Sequence, residues 1–202
     1  MRLKFPKDFN ISPMSFILSE DYEAFYADRE RDMHNSQYYI LKPVAASCGR
    51  GIKICDSKQR ISKKEGILAS KYIENPHLLN GLKYDLRVYV LVTQFNPLKI
   101  YIYNDGLVRF ATEKYSMDPK QMNQKFVHLT NFSINKRNTK FVKNNDAKND
   151  SSDGEEETQE SSKWDFKQLQ QAYARVGANY NQMFGQMKDI IIKTLLAVEP
   201  TI

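Results

Sequence analysis

Lys83-Tyr-Asp-Leu-Arg-Val-Tyr-Val-Leu-Val-Thr93 is the stretch of sequence that decides the fold. Aliphatic residues recur at every second position from Leu86 to Val92, which is the period of a β-strand with one half-buried face. The alternation lasts for the length of a full strand. We therefore predict a strand over residues 83–93.

The opposite face of this predicted strand carries charges at one end. The two-residue period places Lys83, Asp85 and Arg87 together on that face. A merely solvated outer face is the alternative interpretation, but Tyr89 and Leu91 continue the same face, and a wet surface would not favour them. The pattern therefore favours a functional site built on this strand.

The segments on either side of this strand complete an α+β pattern. Downstream, residues 99–103 and 107–112 flank an Asn-Asp-Gly turn signal at 104–106, which predicts a β-hairpin. Helical crossovers between the predicted strands are missing, so we expect a mostly antiparallel sheet with flanking helices. The other predicted strands are 38–41, 52–55 and 67–73, with a weaker strand or loop over 126–134, and the predicted helices are 20–33, 164–175 and 179–198.

Residues 144–162 differ in composition from the rest of the chain. They are rich in Asn, Asp, Ser and Glu and nearly free of apolar residues, so burial cannot offset the entropy of ordering them. We predict a disordered acidic insert there. It divides the chain into an N-terminal segment (1–37), a β-rich core (38–143), the insert (144–162) and C-terminal helices (163–202).

The charge of the chain is uneven. Its formal net charge is +6, but residues 146–160 hold seven acids and one lysine, which leaves +12 on the remainder. A body this basic favours an anionic partner, and charge alone does not choose among nucleotide, nucleic acid, membrane surface and acidic polypeptide. No apolar run reaches the ~18 residues of a membrane span, the N-terminus has no signal-peptide pattern, and Cys48 and Cys55 are expected to be reduced thiols.

The segment Ile40-Leu-Lys-Pro-Val-Ala-Ala-Ser-Cys-Gly-Arg-Gly-Ile52 has the features of a phosphate-binding loop. Lys42 closes a predicted strand, and the small residues up to Gly49 and Gly51 let backbone N–H groups approach phosphate oxygens. The segment is not a Walker loop, because no helix with Gly-Lys-Ser or Gly-Lys-Thr follows. A plain hairpin turn is the alternative interpretation.

Two further groups of polar residues carry weaker signals. The guanidinium of Arg109 suits a carboxylate or a phosphate, with an ordinary surface arginine as the alternative. His128-Leu-Thr-Asn131, followed by Ser133, groups short polar side chains suited to hydroxyl or phosphate contacts. Lone histidines are usually structural, so His128 is not assigned as a base.

Five of these segments occur in an order that indicates a family. They are Lys42-Pro-Val-x-x-x-x-Gly-Arg-Gly-Ile52, Lys71-Tyr-Ile-x-Asn-Pro76, Lys83-Tyr-Asp-Leu-Arg-Val-Tyr-Val-Leu-Val-Thr93, Asp105-Gly-Leu-Val-Arg-Phe-Ala-Thr112 and His128-Leu-Thr-Asn-Phe-Ser-Ile-Asn-Lys136. Together they closely resemble the tubulin–tyrosine-ligase-like family, and within it the tubulin polyglutamylases. The resemblance extends from about Asn10 onward.

The resemblance implies an ATP-grasp fold and an ATP- and Mg²⁺-dependent ligase. ATP would phosphorylate the γ-carboxylate of an acceptor glutamate on a tubulin C-terminal tail, and the amine of free L-glutamate would displace the phosphate. The implied partners are acidic tubulin tails or microtubules, with no nucleic acid and no membrane insertion. The implied location is the cytoplasm and cytoskeleton, with the cilium or basal body suggested by analogy alone.

The resemblance also implies roles for individual residues. Lys42 and Arg87 are the expected catalytic groups, with Arg87 facing the γ-phosphate and the acyl-phosphate. The expected ATP contacts are Lys42, Gly49, Gly51, Ser70, Lys71, Tyr72, Ile73, Lys83, Asp85, Thr130 and Asn131. The expected contacts to the incoming glutamate are Arg109, Ser133 and Lys163.

Two departures from the family pattern qualify these expectations. Cys48 stands where family members usually carry arginine. The magnesium-binding carboxylates belong to a later segment of the type Asp-Val-Leu…Leu-Glu-Val-Asn, so the metal ligands are expected beyond Ile202. We therefore predict an ATP-grasp domain that is incomplete at both ends and inactive by itself.

Two other functional classes remain open at this point. A catalytically inactive relative that binds tubulin tails or microtubules is favoured by Cys48 and the missing carboxylates. It is opposed by the retained residues Lys42, Lys83, Asp85, Arg87 and Arg109. A nucleic-acid binder is supported only by the sequence pI of about 9.1 and the 12% aromatic content.

Overall fold

The computed structural model describes residues 4–32, 37–143 and 161–198. Of the predicted acidic insert, residues 144–160 lie outside the described residues, whereas Ser161 and Ser162 are buried. The elements of the described residues are, in chain order, β1 (Ser15–Ile17), α1 (Tyr22–Asp32), β2 (Tyr38–Pro43), β3 (Lys53–Asp56), β4 (Ile67–Lys71), β5 (Leu78–Leu79), β6 (Leu82–Phe95), β7 (Leu98–Lys114), α2 (Lys125–His128), α3 (Phe132–Asn135), β8 (Lys163–Trp164), α4 (Phe166–Arg175) and α5 (Tyr180–Val198).

The chain divides into two compact units. The first unit comprises Pro13–Tyr84 and Phe110–Phe141, and the second comprises Met1–Ser12, Asp85–Arg109 and Val142–Ile202. A sheet with strand order β1-β4-β2-β3 belongs to the first unit, and the long strands of the other sheet, ordered β5-β6-β7-β8, contribute residues to both. The architecture is thus α+β with two antiparallel sheets, as expected. The division of the chain into segments at 37, 143 and 162 stays a prediction.

Successive side chains of β2 pack into two different core clusters of the first unit, with Tyr39 and Leu41 in one and Tyr38 and Ile40 in the other. Tyr39 is fully buried and points toward helix α1, where its ring meets Phe25 edge-on with centroids 5.3 Å apart. Phe16 of β1 packs against the same Phe25 ring at 5.6 Å. Burial of each such side chain stabilises the fold by about 1.5–3 kcal/mol, so α1 is held to the sheet mainly by these aromatic contacts.

The hairpin predicted at residues 104–106 is wrong. Strand β7 runs from Leu98 to Lys114 without interruption, and the chain reverses at Asn96-Pro97 instead. Gly106 is needed for a close approach, because an added Cβ would collide with the Arg87 carbonyl oxygen and lie 2.6 Å from the Phe166 ring. The carboxylate of Asp105 accepts hydrogen bonds from the backbone N–H groups of Gly106 (2.7 Å) and Phe166 (2.9 Å). The Asn-Asp-Gly signal therefore marks where α4 docks on the strand.

Of the strand or loop predicted over residues 126–134, the strand is wrong, because the short helices α2 and α3 form there with loop residues 129–131 between them. Asn135 explains the local structure of α3. It is buried, its Oδ1 accepts from the backbone N–H and the hydroxyl of Thr112, and its Nδ2 donates to the Leu129 carbonyl oxygen. A side chain that satisfies backbone groups on both sides competes with strand pairing.

The remaining predicted elements are confirmed within a few residues. The strand predicted over 83–93 is β6, and the helices predicted over 20–33, 164–175 and 179–198 are α1, α4 and α5. Helix α4 begins with a capping box in which Asp165 and Gln168 bond each other's backbone N–H groups. Within the described ranges, no helix combines the length and apolar character needed to cross a membrane.

Candidate functional site

The loop between β2 and β3 lines a partly open cavity of about 420 Å³ in the first unit. Cavities of this size accommodate small ligands. Lys42 and Arg50 supply cationic groups, and the other walls are mostly apolar, so the space suits an anion with an apolar portion. The lining residues are Lys42, Pro43, Val44, Ala46, Cys48, Gly49, Arg50, Ile52, Leu68 and Asn131.

Helix α3 and the residue before it fix the shape of this loop. The hydroxyl of Ser133 donates to the Cys48 carbonyl oxygen at 2.9 Å. Cys48 and Gly49 both have left-handed backbone angles, with φ of 61° and 76°. A Cβ on Gly49 would lie 2.5 Å from Ile134 Cδ1 and 2.9 Å from Asn131 Oδ1, so a larger residue would have to displace these two side chains and also adopt a left-handed φ that favours glycine.

We expect Gly49→Ala to weaken nucleotide binding by about ten-fold and Gly177→Ala to leave it unchanged. Gly177 has a similar φ of 70° but open space around it, so both alanines incur the left-handed backbone cost of about 1–2 kcal/mol while only that at Gly49 displaces Asn131 and Ile134. Calorimetric titration of each variant with ATP, together with its melting temperature, checks this expectation. Equal loss of affinity in the two variants would contradict it.

Four of the expected ATP contacts, residues 70–73, cover the end of β4 and the two residues after it. The hydroxyls of Ser70 and Ser15 are 2.8 Å apart, Tyr72 is buried and Ile73 is 58% exposed. The ammonium of Lys71 lies 3.2 Å from the Asp28 carboxylate, so its side chain is turned toward α1. At Lys71, therefore, the backbone rather than the side chain is placed to contact a ligand.

The charged residues predicted on one face of the 83–93 strand do not share partners. In the first unit, Lys83 donates to the Tyr72 hydroxyl at 2.9 Å. In the second unit, Arg109 forms a two-pronged ion pair with Asp85, with Nε and Oδ1 2.8 Å apart and Nη2 bonded to Oδ2. Arg87 is exposed.

The Asp85 carboxylate determines the electrostatics around Arg109. Its hydrogen bonds are the main reason that the pKa of the Arg109 guanidinium rises above its ordinary value. Lys163 of β8 is the cross-strand neighbour of Arg109, so two cations meet at this edge of the sheet. The guanidinium of Arg109 thus donates two hydrogen bonds to one carboxylate, that of Asp85.

The structure brings together some of the sequence-predicted residues and separates others. Lys42, Gly49 and Asn131 line one cavity, and Ser133 supports its loop rather than lining it. Asp85, Arg109 and Lys163 cluster in the second unit. The residues predicted to contact ATP that do not line the cavity are Gly51, Ser70, Lys71, Tyr72, Ile73, Lys83, Asp85 and Thr130.

Two side chains near these groups received no role from the sequence. His128 stood out in the His128-Leu-Thr-Asn131 segment, and the structure buries it beside Tyr72, with the hydroxyl 3.0 Å from Nδ1. Asp28 on α1 is buried and accepts a hydrogen bond from Tyr39. No local sequence signal identifies Asp28, because its partners lie on other elements.

A Mg²⁺ site would need several carboxylate or other oxygen ligands held close together. Across ranges 4–32, 37–143 and 161–198, no three or more His, Cys, Asp and Glu side chains are grouped so that they could hold a metal ion. These residues therefore do not fit a complete metal site, and no metal ligand is assigned to them.

Comparisons with known proteins agree with one another. A family model described as "Tubulin-tyrosine ligase family" matches residues 1–202. The chain is 37% identical to tubulin monoglutamylase TTLL4 of Mus musculus over 194 residues, covering 96% of this chain and 15% of that protein. It is 37% identical to tubulin polyglutamylase TTLL5 of Homo sapiens (96% and 14%) and 33% identical to tubulin polyglutamylase TTLL7 of Mus musculus (96% and 20%). The chain thus spans a fifth or less of the length of these curated relatives.

Proposed function

The chain belongs to the tubulin-tyrosine ligase family, and on that premise we propose that it is the nucleotide- and glutamate-binding part of an ATP-dependent, ATP-grasp ligase. The reaction would add L-glutamate to the γ-carboxylate of glutamate side chains on tubulin C-terminal tails. Three relatives of the chain are tubulin glutamylases, which supports this assignment of substrate.

One observation carries the proposal, namely the cavity of about 420 Å³ between Lys42 and Asn131. Its apolar walls suit a base and its cations suit phosphates, whereas a protein that only bound acidic tails would need an open basic surface. The tight loop at Gly49 brings backbone close to the space, as phosphate binding requires.

The proposed chemistry has two steps. A γ-carboxylate oxygen of the acceptor attacks the γ-phosphorus of ATP, and the bond to ADP breaks. The amine of the donor glutamate then attacks the acyl-phosphate carbon, inorganic phosphate leaves, and the amine releases its proton as the isopeptide bond forms. Catalysis of this kind depends on fixed cations around the transferring group, which is the role proposed for Lys42 and Arg87.

The donor glutamate would bind through Arg109. Its guanidinium already holds the Asp85 carboxylate, so a donor carboxylate would take the place of Asp85 or share the guanidinium with it. Lys163 adds a second positive charge nearby. Tubulin tails are acidic, and the +12 charge outside residues 146–160 would attract them.

Cys48 favours a second candidate, a non-catalytic relative that binds tubulin tails. It lines the cavity beside Gly49 and contributes no positive charge where the family pattern has arginine. Arg50 lines the same cavity two residues further on and supplies a cation, which favours the ligase.

Mass spectrometry of tubulin tails tests the proposal. Tubulin would be incubated with ATP, Mg²⁺ and glutamate, and with either this 202-residue chain or human TTLL5 in which residues 1–202 replace the matching segment. We expect added glutamates from the chimaera and none from the 202-residue chain. A chimaera that binds tubulin tails but neither binds ATP nor adds glutamate, beside an active unaltered TTLL5, would instead support the tail-binding relative.

A further inference from the structure

A buried chain of hydrogen bonds runs from Lys83 to His128 in the first unit, and we propose that Tyr72 and His128 are positioning residues that hold the Lys83 ammonium in place for nucleotide. This inference rests on the proposed function, because Lys83 acts on nucleotide only in such a ligase. Neither side chain is proposed to touch the reacting atoms.

The hydrogen bonds link each of these residues to the next without a gap. Lys83 Nζ lies 2.9 Å from the Tyr72 hydroxyl, which lies 3.0 Å from His128 Nδ1, and His128 Nε2 lies 3.2 Å from the Gln121 carbonyl oxygen. Tyr72 and His128 are 6% and 2% exposed. The hydrogen bond between Tyr72 and His128 is therefore buried, while those to Lys83 and to Gln121 are partly buried.

The groups at the two ends of this series of hydrogen bonds, the Gln121 carbonyl oxygen and the Lys83 ammonium, fix the direction of every bond between them. The Gln121 carbonyl oxygen can only accept, so His128 Nε2 carries a hydrogen and, in a neutral imidazole, Nδ1 is an acceptor. The Lys83 ammonium can only donate. The Tyr72 hydroxyl therefore accepts from Lys83 and donates its single hydrogen to Nδ1.

Protonation of His128 would break this arrangement. A hydrogen on Nδ1 would face the Tyr72 hydroxyl, and a second positive charge would lie close to Lys83. Burial, followed by the charge of Lys83, lowers the pKa of His128 below its ordinary value of 6.5. The other titratable groups here are Tyr72, Tyr115 and Glu74, and burial is the main cause that raises the pKa of both tyrosines.

A lysine side chain needs such support to act as a fixed charge. Its four-carbon stem has high rotamer entropy, and holding it in one geometry costs binding energy each time a ligand arrives. The ammonium lies 4.5 Å from the centre of the Tyr72 ring and 5.9 Å from that of Tyr115, which adds cation–π attraction. The hydrogen bond from Lys83 to Tyr72 then selects one orientation.

Tyr72→Phe and Tyr115→Phe form a matched pair for the test. Both keep an aromatic ring beside Lys83. Tyr72→Phe removes the hydroxyl that contacts both Lys83 and His128, whereas Tyr115→Phe leaves those two contacts in place and removes a hydroxyl that donates to the Glu74 carbonyl oxygen at 2.7 Å and also interacts with Tyr72. Titration of the 202-residue chain with ATP should show affinity about ten-fold weaker for Tyr72→Phe and within about two-fold of wild type for Tyr115→Phe. Lys83→Ala removes the ammonium itself, so it shows how much ATP affinity depends on Lys83 in total.

The pH dependence of ATP affinity provides a second test, because a purely structural role of His128 would not change it. ATP affinity of the wild type should fall as the pH drops below 6.5 and His128 takes up a proton, whereas His128→Gln, which cannot titrate there, should show a flatter profile. The free energy of unfolding should change in the same direction. The contribution of neutral His128 to it is fully present above pH 6.5 and is lost as the pH falls toward the lower pKa of His128 in the folded state.

The outcomes separate this inference from the proposed function. Loss of ATP binding in Lys83→Ala with none in Tyr72→Phe or His128→Gln would overturn the positioning role and leave the nucleotide site standing. ¹⁵N chemical shifts of His128 in the ligand-free chain should show hydrogen on Nε2 alone, and hydrogen on Nδ1 would overturn the inference directly. Wild-type chain that shows the expected tautomer but binds no ATP would overturn the proposed function, and with it the role of the hydrogen-bonded chain in nucleotide binding.

Discussion

Replacing Arg109 with alanine is expected to lower glutamate transfer by about 100- to 1,000-fold while ATP binding survives, because loss of one preorganised charge contact commonly has an effect of that size. Arg109 belongs to the second unit and the cavity to the first, so the two functions are carried by different groups. The measurement is the rate of glutamate addition to tubulin tails by the chimaera with TTLL5, beside calorimetric titration with ATP.

Because Arg109 is paired with Asp85, the loss of this ion pair has to be separated from the loss of the contact to glutamate. Removing Arg109 leaves the Asp85 carboxylate unpaired, but its side chain is 38% exposed, so water can solvate it and the fold should survive. Arg137→Ala, which removes an exposed arginine from the first unit, is the matched control and should keep both activities. Loss of ATP binding in Arg109→Ala would show that Arg109 serves the nucleotide rather than the donor glutamate.

Strand β6 was predictable because its signal is local. Alternation from Leu86 to Val92 is written into adjacent residues, and the strand forms where that pattern lies. The turn predicted at Gly106 failed for the opposite reason. Glycine and aspartate there serve the docking of Phe166, which is sixty residues away in sequence, and a local turn signal cannot distinguish that use from a reversal of the chain.

The candidate site shows the same division between local and distant information. The loop with Gly49 was recognisable because a lysine and closely spaced glycines follow a strand. Its support by Ser133 required the fold, since 85 residues separate that side chain from Cys48. Likewise, the pairing of Asp85 with Arg109 depends on the register of β6 against β7, which alternation alone does not fix.

Lys42→Ala is expected to weaken ATP binding by about 100-fold and to abolish transfer. Lys42 is the second-last residue of β2 and lines the cavity, so the strand fixes its backbone, and under the proposed function its ammonium contacts the phosphates. It is exposed, and truncating it should change the free energy of unfolding by no more than about 0.5 kcal/mol. A loss of affinity at unchanged stability would therefore report lost phosphate contact.

Lys53→Ala supplies the matched control, because Lys53 is an exposed lysine on the neighbouring strand β3 that does not line the cavity. It removes the same charge from the same sheet, so any general effect of net charge on the attraction of ATP appears in both variants. Titration at two salt concentrations separates the two contributions, since long-range attraction is screened and direct contact is screened much less. If Lys42→Ala and Lys53→Ala weaken ATP binding equally, Lys42 acts only through the overall charge, and the cavity is not where the phosphates bind.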